Sequence, residues 1–147
     1  ATENNYIYQG EWSTVDNNGN RTYWGNWKGC FFFDNSAIAN ALVNRTIVSA
    51  RITLHRLTYG GYSGGYKARL WALSSNSSVI GKSEPVVDYE VSQSHVYSWG
   101  ESESISIPNW IITALTNGSY GGFALYWPDG TNYMIFSEDV TLEITYK

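Results

Sequence analysis

Ile47-Val48-Ser49-Ala50-Arg51-Ile52-Thr53-Leu54-His55-Arg56 is the stretch that decides the fold. Val48, Ala50, Ile52 and Leu54 alternate with Ser49, Arg51, Thr53 and His55. A two-residue period sends neighbouring side chains to opposite faces, so the segment predicts a β-strand with one face turned inward. Val140–Tyr146 repeats the pattern, with Val140, Leu142, Ile144 and Tyr146 set against Thr141, Glu143 and Thr145. Working outward, Tyr66–Leu73, Ser104–Ile107, Gly122–Trp127 and Tyr133–Ser137 read as further central strands. Lys28–Phe33 ends in three consecutive Phe, which predicts a strand covered on both faces. Tyr6–Trp12 and Pro85–Val91 are additional expected strands.

Turn signals separate these runs: Asn17-Asn18-Gly19-Asn20, Tyr59–Gly65, Ser74–Ser78 and Pro128-Asp129-Gly130. Short strands with frequent breaks predict an all-β sandwich or barrel. Two segments look helical. Ser36 is placed to cap Ala37–Val43, and Pro108–Asn117 opens on proline and stops at Gly118, with Trp110, Ile111, Ala114 and Leu115 as its apolar stripe. A chain of 147 residues fits one domain, 1–147, and is long enough to bury a core without covalent staples.

Lys and Arg number 9 against 13 Asp and Glu, a net charge of −4 that disfavours binding to a nucleic-acid backbone. One cysteine, Cys30, excludes an internal disulfide framework and a multi-cysteine zinc site, and its place before three Phe predicts a buried, inert thiol. No apolar run has membrane-spanning length, and Ala1–Gly10 lacks the pattern of a signal peptide. Ser, Thr and Asn together supply 41 residues, and the aromatics are dominated by 12 Tyr and 7 Trp. Rings with an apolar body and a polar tip suit surfaces that hold neutral polar ligands.

Several segments form an ordered series: Tyr8-Gln9-Gly10, Tyr23-Trp24-Gly25-Asn26-Trp27-Lys28-Gly29-Cys30-Phe31-Phe32-Phe33, Ile47–Arg56 followed by Gly60-Gly61, Gly121–Tyr126 and Tyr133–Phe136. Over roughly Tyr8 to Ser137 this series resembles the carbohydrate-binding-like β-sandwich modules of bacteriophage minor tail, distal tail and receptor-binding proteins. The resemblance implies a jelly-roll-like antiparallel β-sandwich with one or two short helices, carried at the tail tip of a virion. It further implies contact with host cell-wall polysaccharide, assembly as a homotrimer, and other tail or baseplate proteins as neighbours. No cofactor is called for, and the ligand does not transfer with the fold.

Sugar rings pack their C–H faces on aromatic planes while their hydroxyls seek amide, carboxylate or hydroxyl partners. Three stretches offer that chemistry. Tyr59, Tyr62 and Tyr66 flank a glycine-rich connection between two strands, Tyr97 and Trp99 sit near His95 in a region without clear periodicity, and Trp127 shares a hairpin with Asp129 and Asn132. The competing use of each ring is in the core or a subunit contact. Trp27 reads as core because it leads into the Phe strand, Trp24 is ambiguous beside it, and Trp71 and Trp110 read as packing residues.

Asp16, Asn18 and Asn20 are spaced like oxygen ligands, but without a downstream bidentate glutamate a metal-free turn is the better reading. His55 falls on the polar face of a strand and His95 in a loop, neither with a partner at ligand spacing. Glu138 and Asp139 are adjacent carboxylates between two strands; adjacent strand residues face opposite ways, and adjacency alone does not supply the two carboxyls facing across a cleft that a glycosidase needs. Asn20, Asn44, Asn76 and Asn117 begin glycosylation-type triplets of the kind that arise by chance in this composition. The expected activity is thus non-catalytic recognition of surface polysaccharide. A structural spacer whose aromatics make subunit contacts is the rival, and a polysaccharide-degrading enzyme stands behind both.

Overall fold

The computed structural model describes residues 6–15, 17–74 and 85–147. Asp16 of the candidate cation loop and the Asn76 triplet lie outside the described residues, as does the side chain of Trp24. The strands are β1 (Ile7–Val15), β2 (Arg21–Phe31), β3 (Ile47–His55), β4 (Tyr66–Leu73), β5 (Val87–Tyr97), β6 (Ser102–Ser106), β7 (Gly122–Leu125), β8 (Met134–Phe136) and β9 (Thr141–Tyr146), with helices α1 (Asn35–Ala41) and α2 (Asn109–Asn117). They form a six-stranded sheet, β5-β4-β7-β2-β1-β8, and a three-stranded sheet, β6-β3-β9. All described pairings are antiparallel. The molecule is an all-β sandwich with two short helices, and the chain passes repeatedly from one sheet to the other.

The strand that decides the fold behaves as its alternation requires, up to one irregularity. Ala50, Ile52 and Leu54 of β3 are buried and meet Leu70 of β4, Ile105 of β6, Phe123 and Leu125 of β7, and Phe136 of β8. Each such aliphatic or Phe side chain contributes roughly 1.5–3 kcal/mol of burial. Val48, expected inward, is exposed instead. The register between β3 and β9 shifts between Ile47 and Ser49, and this bulge turns Ile47 toward the core in its place.

Both helices form, with one changed cap. α1 begins at Asn35 because Asp34, not Ser36, accepts the Ala37 amide at 3.0 Å. α2 follows Pro108 and ends on Gly118 in the left-handed conformation, φ 83°. Its buried stripe is Ile111, Ile112, Ala114 and Leu115, while Trp110 stays 49% exposed. The expectation that Trp110 packs inward is therefore corrected.

Trp27 needs the same correction, being 40% exposed. β2 runs beside β7 only over Gly29–Phe31, and ahead of that its neighbour is β1. The Trp27 ring leans on Tyr8, centroids 4.9 Å apart, instead of entering the sandwich. Phe31 does enter it, stacked on Phe123 at 5.8 Å. Cys30 is half-buried rather than sealed.

Among the described residues, the buried polar side chains are those of Gln9 and Arg56. β7 ends at Leu125, and beyond the Tyr126 amide bonded to the Arg69 carbonyl it gives β4 no further strand partner. Gln9 takes that place from β1: its Oε1 accepts from the Arg69 amide at 2.9 Å, and its Nε2 donates to the carbonyls of Lys67 and Asn132. A buried backbone group left without a partner costs about 1–3 kcal/mol, which is why a carboxamide is accommodated here.

Candidate functional site

The connection from β3 to β4 and the turn from β5 to β6 meet at one end of the sandwich. Arg56 joins them. Its guanidinium is buried and donates to the Tyr97 carbonyl at 2.6 Å and to the Gly60 carbonyl at 2.7 Å. Burial lowers its pKa from the ordinary arginine value. The two segments are also tied directly, Trp99 N to Ser63 O at 3.1 Å, Trp99 Nε1 to Gly60 O at 3.2 Å, and Ser98 Oγ to Gly64 O at 3.2 Å. Gly61 has φ 70°, and a Cβ there would run into the Tyr133 carbonyl, so the glycines serve a close backbone approach.

With the backbone held from beneath, the rings point outward. Tyr62 is 62% exposed, and Tyr59 and Trp99 (43%) are exposed beside it. Tyr66 is half-buried, packed against the core with its ring 5.9 Å from that of Tyr62. Tyr6 meets Tyr59 edge-on at 6.4 Å. Tyr133 lies against the same loop, and burial, with Tyr8 and Tyr59 nearby, pushes its pKa up to about 12. The surface is faced with ring planes, and the Glu101 carboxylate accepts the Ser98 amide at 2.8 Å in the turn beside Trp99.

Tyr97 does not belong to it. The expected binding ring is fully buried in β5, edge-on to Phe136 at 5.2 Å, with its hydroxyl donating to the Glu103 carbonyl at 2.9 Å. Burial raises its pKa strongly. The long region read as lacking periodicity is a strand with three register irregularities against β4, which hid its alternation. His95 consequently sits in β5 rather than in a loop.

The hairpin residues form a second group, on the outer face of the large sheet. Arg69 lies over two indoles, 4.8 Å from the Trp71 centroid and 5.2 Å from that of Trp127. Glu90 fixes the guanidinium with Nε–Oε1 of 2.8 Å and Nη2–Oε2 of 3.3 Å. That pairing is the first cause of a lowered Glu90 pKa. Trp71 is thus half-buried within this stack, as a packing residue. Asp129 accepts from the Thr131 amide and hydroxyl at 3.1 and 2.8 Å, which lowers its own pKa. Asn132 adopts φ 62° and offers its carbonyl to Gln9. Asp129 and Asn132 therefore shape the turn, and Trp127, half-buried beneath Arg69, donates its indole Nε1 to the Lys67 carbonyl at 3.2 Å.

Among the described residues, no cluster of three or more His, Cys, Asp or Glu is arranged to hold a metal ion. Glu138 and Asp139 both lie exposed in the connection before β9. His55 bonds through Nδ1 to the Ser102 hydroxyl. No helix among the described residues is long and apolar enough to cross a membrane. Comparison with known proteins finds no matching family model, no matching curated protein and no matching solved structure.

Proposed function

We propose that the chain is a non-catalytic recognition module that binds host cell-surface polysaccharide, as part of a bacteriophage tail. The observation that carries the binding is the end cluster. Tyr59, Tyr62 and Trp99 are brought together from two loops and exposed, while the backbone beneath them is fixed by a buried arginine. Rigid aromatic rings offer contact area at little entropic cost, and hydroxyl-rich surroundings supply weak neutral hydrogen bonds. Affinity per site is modest, and homotrimeric assembly on the virion multiplies it through effective concentration. The tail placement and the trimer rest on the resemblance of the sequence.

Microcalorimetry with purified host wall polysaccharide tests the reading. Binding by the native assembly, lost in Tyr62→Ala and Trp99→Ala variants that keep their melting temperature, is the expected result. Absence of binding by the unaltered assembly overturns it.

A structural tail or baseplate domain draws on a different feature, the groove of about 530 Å³ between α1 and β9 lined by Phe33, Ile38, Leu42, Leu142 and Ile144. α1 buries no residue of its own, so an apolar surface is left for a subunit contact. Sedimentation of Leu42→Glu separates the two readings. Dissociation with saccharide binding intact assigns the groove to assembly, and dissociation of a protein that never binds saccharide favours the structural role.

A further inference from the structure

β5 and β6 are each the outermost strand of their sheet, so the side of the sandwich between them is open. A cleft of about 490 Å³ runs there, within the range of ligand sites. Its walls carry Ser92, Ser94 and His95 from β5 and Ser104 and Ser106 from β6, with Lys67 beside them. Among the described residues, the ionisable ones lining it are Lys67, exposed on β4, and His95, and no Asp or Glu is among them.

The cleft is shaped by an irregularity rather than by regular pairing. Lys67 pairs with Val96 and Arg69 with Gln93, so β5 carries an extra residue opposite Ala68. Ser94 turns in to accept the Ala68 amide at 3.3 Å and donates to the His95 carbonyl. Bulges of this kind re-aim side chains and recur beside binding sites. Ser104 is already bonded to Thr53, whereas Ser92 and Ser106 present hydroxyls with no side-chain partner.

Aromatic residues stand at both ends. The turn joining β5 to β6 carries Trp99. At the far end Tyr89 of β5 meets Trp110 of α2 edge to face, centroids 4.8 Å apart, and both rings are exposed. Tyr120 tilts against Trp110 at 6.0 Å and donates to Asp88 at 2.8 Å, which steadies the corner. From Tyr89 to Tyr97 is eight strand steps, about 26 Å at roughly 3.3 Å per residue. Rings at both ends with hydroxyls and an ammonium between them match an elongated ligand better than a compact one.

We propose that the β5–β6 cleft binds a linear acidic polysaccharide lengthwise, from Trp99 at one end to the Tyr89–Trp110 corner at the other. The inference rests on the polysaccharide-binding reading and extends it, turning a loop-tip contact into one end of a longer groove. Ring faces at the ends take sugar planes, the serines take hydroxyls, and Lys67 pairs with a uronic carboxylate.

The probes are oligogalacturonates of graded length and neutral cello-oligosaccharides of equal length, read by calorimetry and by amide chemical shifts of the full chain. Affinity for the acidic series should climb with length until the cleft is spanned. Shifts should cover Val91–His95, Ser104–Pro108 and the Trp110 indole, and Lys67→Glu should weaken the acidic series about tenfold, or about 1.4 kcal/mol. Ser106→Trp, at an exposed position, should block the longer chains and leave the shortest unaffected. Length-independent binding with shifts confined to Tyr59, Tyr62 and Trp99 overturns the cleft and leaves the loop-tip reading standing. Equal affinity for both series overturns the acidic preference. Absence of cleft shifts with every probe overturns the proposal, and the broader reading falls only if host polysaccharide also fails to bind.

Discussion

The two loops that display aromatic rings are secured in opposite ways. Under the β3–β4 connection a buried guanidinium grips main-chain carbonyls and touches none of the displayed ring faces. At the Trp127 hairpin a guanidinium whose side chain is 21% exposed lies against the rings themselves, between Trp71 and Trp127. Holding the backbone leaves Tyr59, Tyr62 and Trp99 available for a ligand. Holding the rings consumes one face of Trp127 in stabilising the hairpin. The same residue type, arginine, thus yields a receptive loop in one place and a self-contained one in the other.

Removing the buried polar side chain that anchors each loop breaks the comparison most directly. Arg56→Met strands the Tyr97 carbonyl and leaves that of Gly60 only its Trp99 indole donor, and should cost about 3 kcal/mol at roughly 1–3 per unsatisfied group, seen as a lower urea midpoint. Gln9→Leu, which releases the Arg69 amide and the hairpin carbonyl of Asn132 and leaves the Lys67 carbonyl to the Trp127 indole alone, should cost about 2 kcal/mol by the same measurement. Trp127→Ala should lose about 1 kcal/mol through the cation–π contact and the indole bond to the Lys67 carbonyl, whereas Tyr62→Ala should change stability by less than about 0.5 kcal/mol. A larger loss for Tyr62 than for Trp127 would invert the comparison.

The smallest effect is the acid sensitivity of the hairpin. Arg69 holds Glu90 below its ordinary pKa of 4.5, so the contribution is complete above 4.5 and fades as pH falls through the lowered folded value. Tryptophan fluorescence of Tyr62→Ala, titrated from neutrality to below 4.5, should report release of Trp127 from Arg69. Glu90→Gln should diminish that transition, leaving the share carried by Asp129.

Alternation and turn residues were enough to place most strands. Tyr66–Leu73 is β4 to the residue, and Ala50, Ile52 and Leu54 point inward as their spacing requires. What escaped was wherever the register slipped, as at Val48 and through β5, because a bulge changes facing without changing composition. Tyr97 was misplaced for that reason. The anchoring residues did leave a trace. Arg56 continues the inward phase of Ala50, Ile52 and Leu54, and Gln9 shares the phase of buried Ile7, so a polar residue in an apolar series marks backbone that needs a partner. The exposure of Trp27 and Trp110 had no such trace, since it depends on where neighbouring elements end.

Gln9 carries a further consequence. Along one stretch of β4 the ladder is completed by a side chain, so its closure depends on a rotamer rather than on a neighbouring strand. The Arg69 amide proton is guarded by a residue 60 positions away in sequence, and its exchange with solvent follows the swing of that carboxamide. A sheet sealed in this manner has a latch, and unfastening it would loosen hairpin and sheet face together while the opposite edge stays shut.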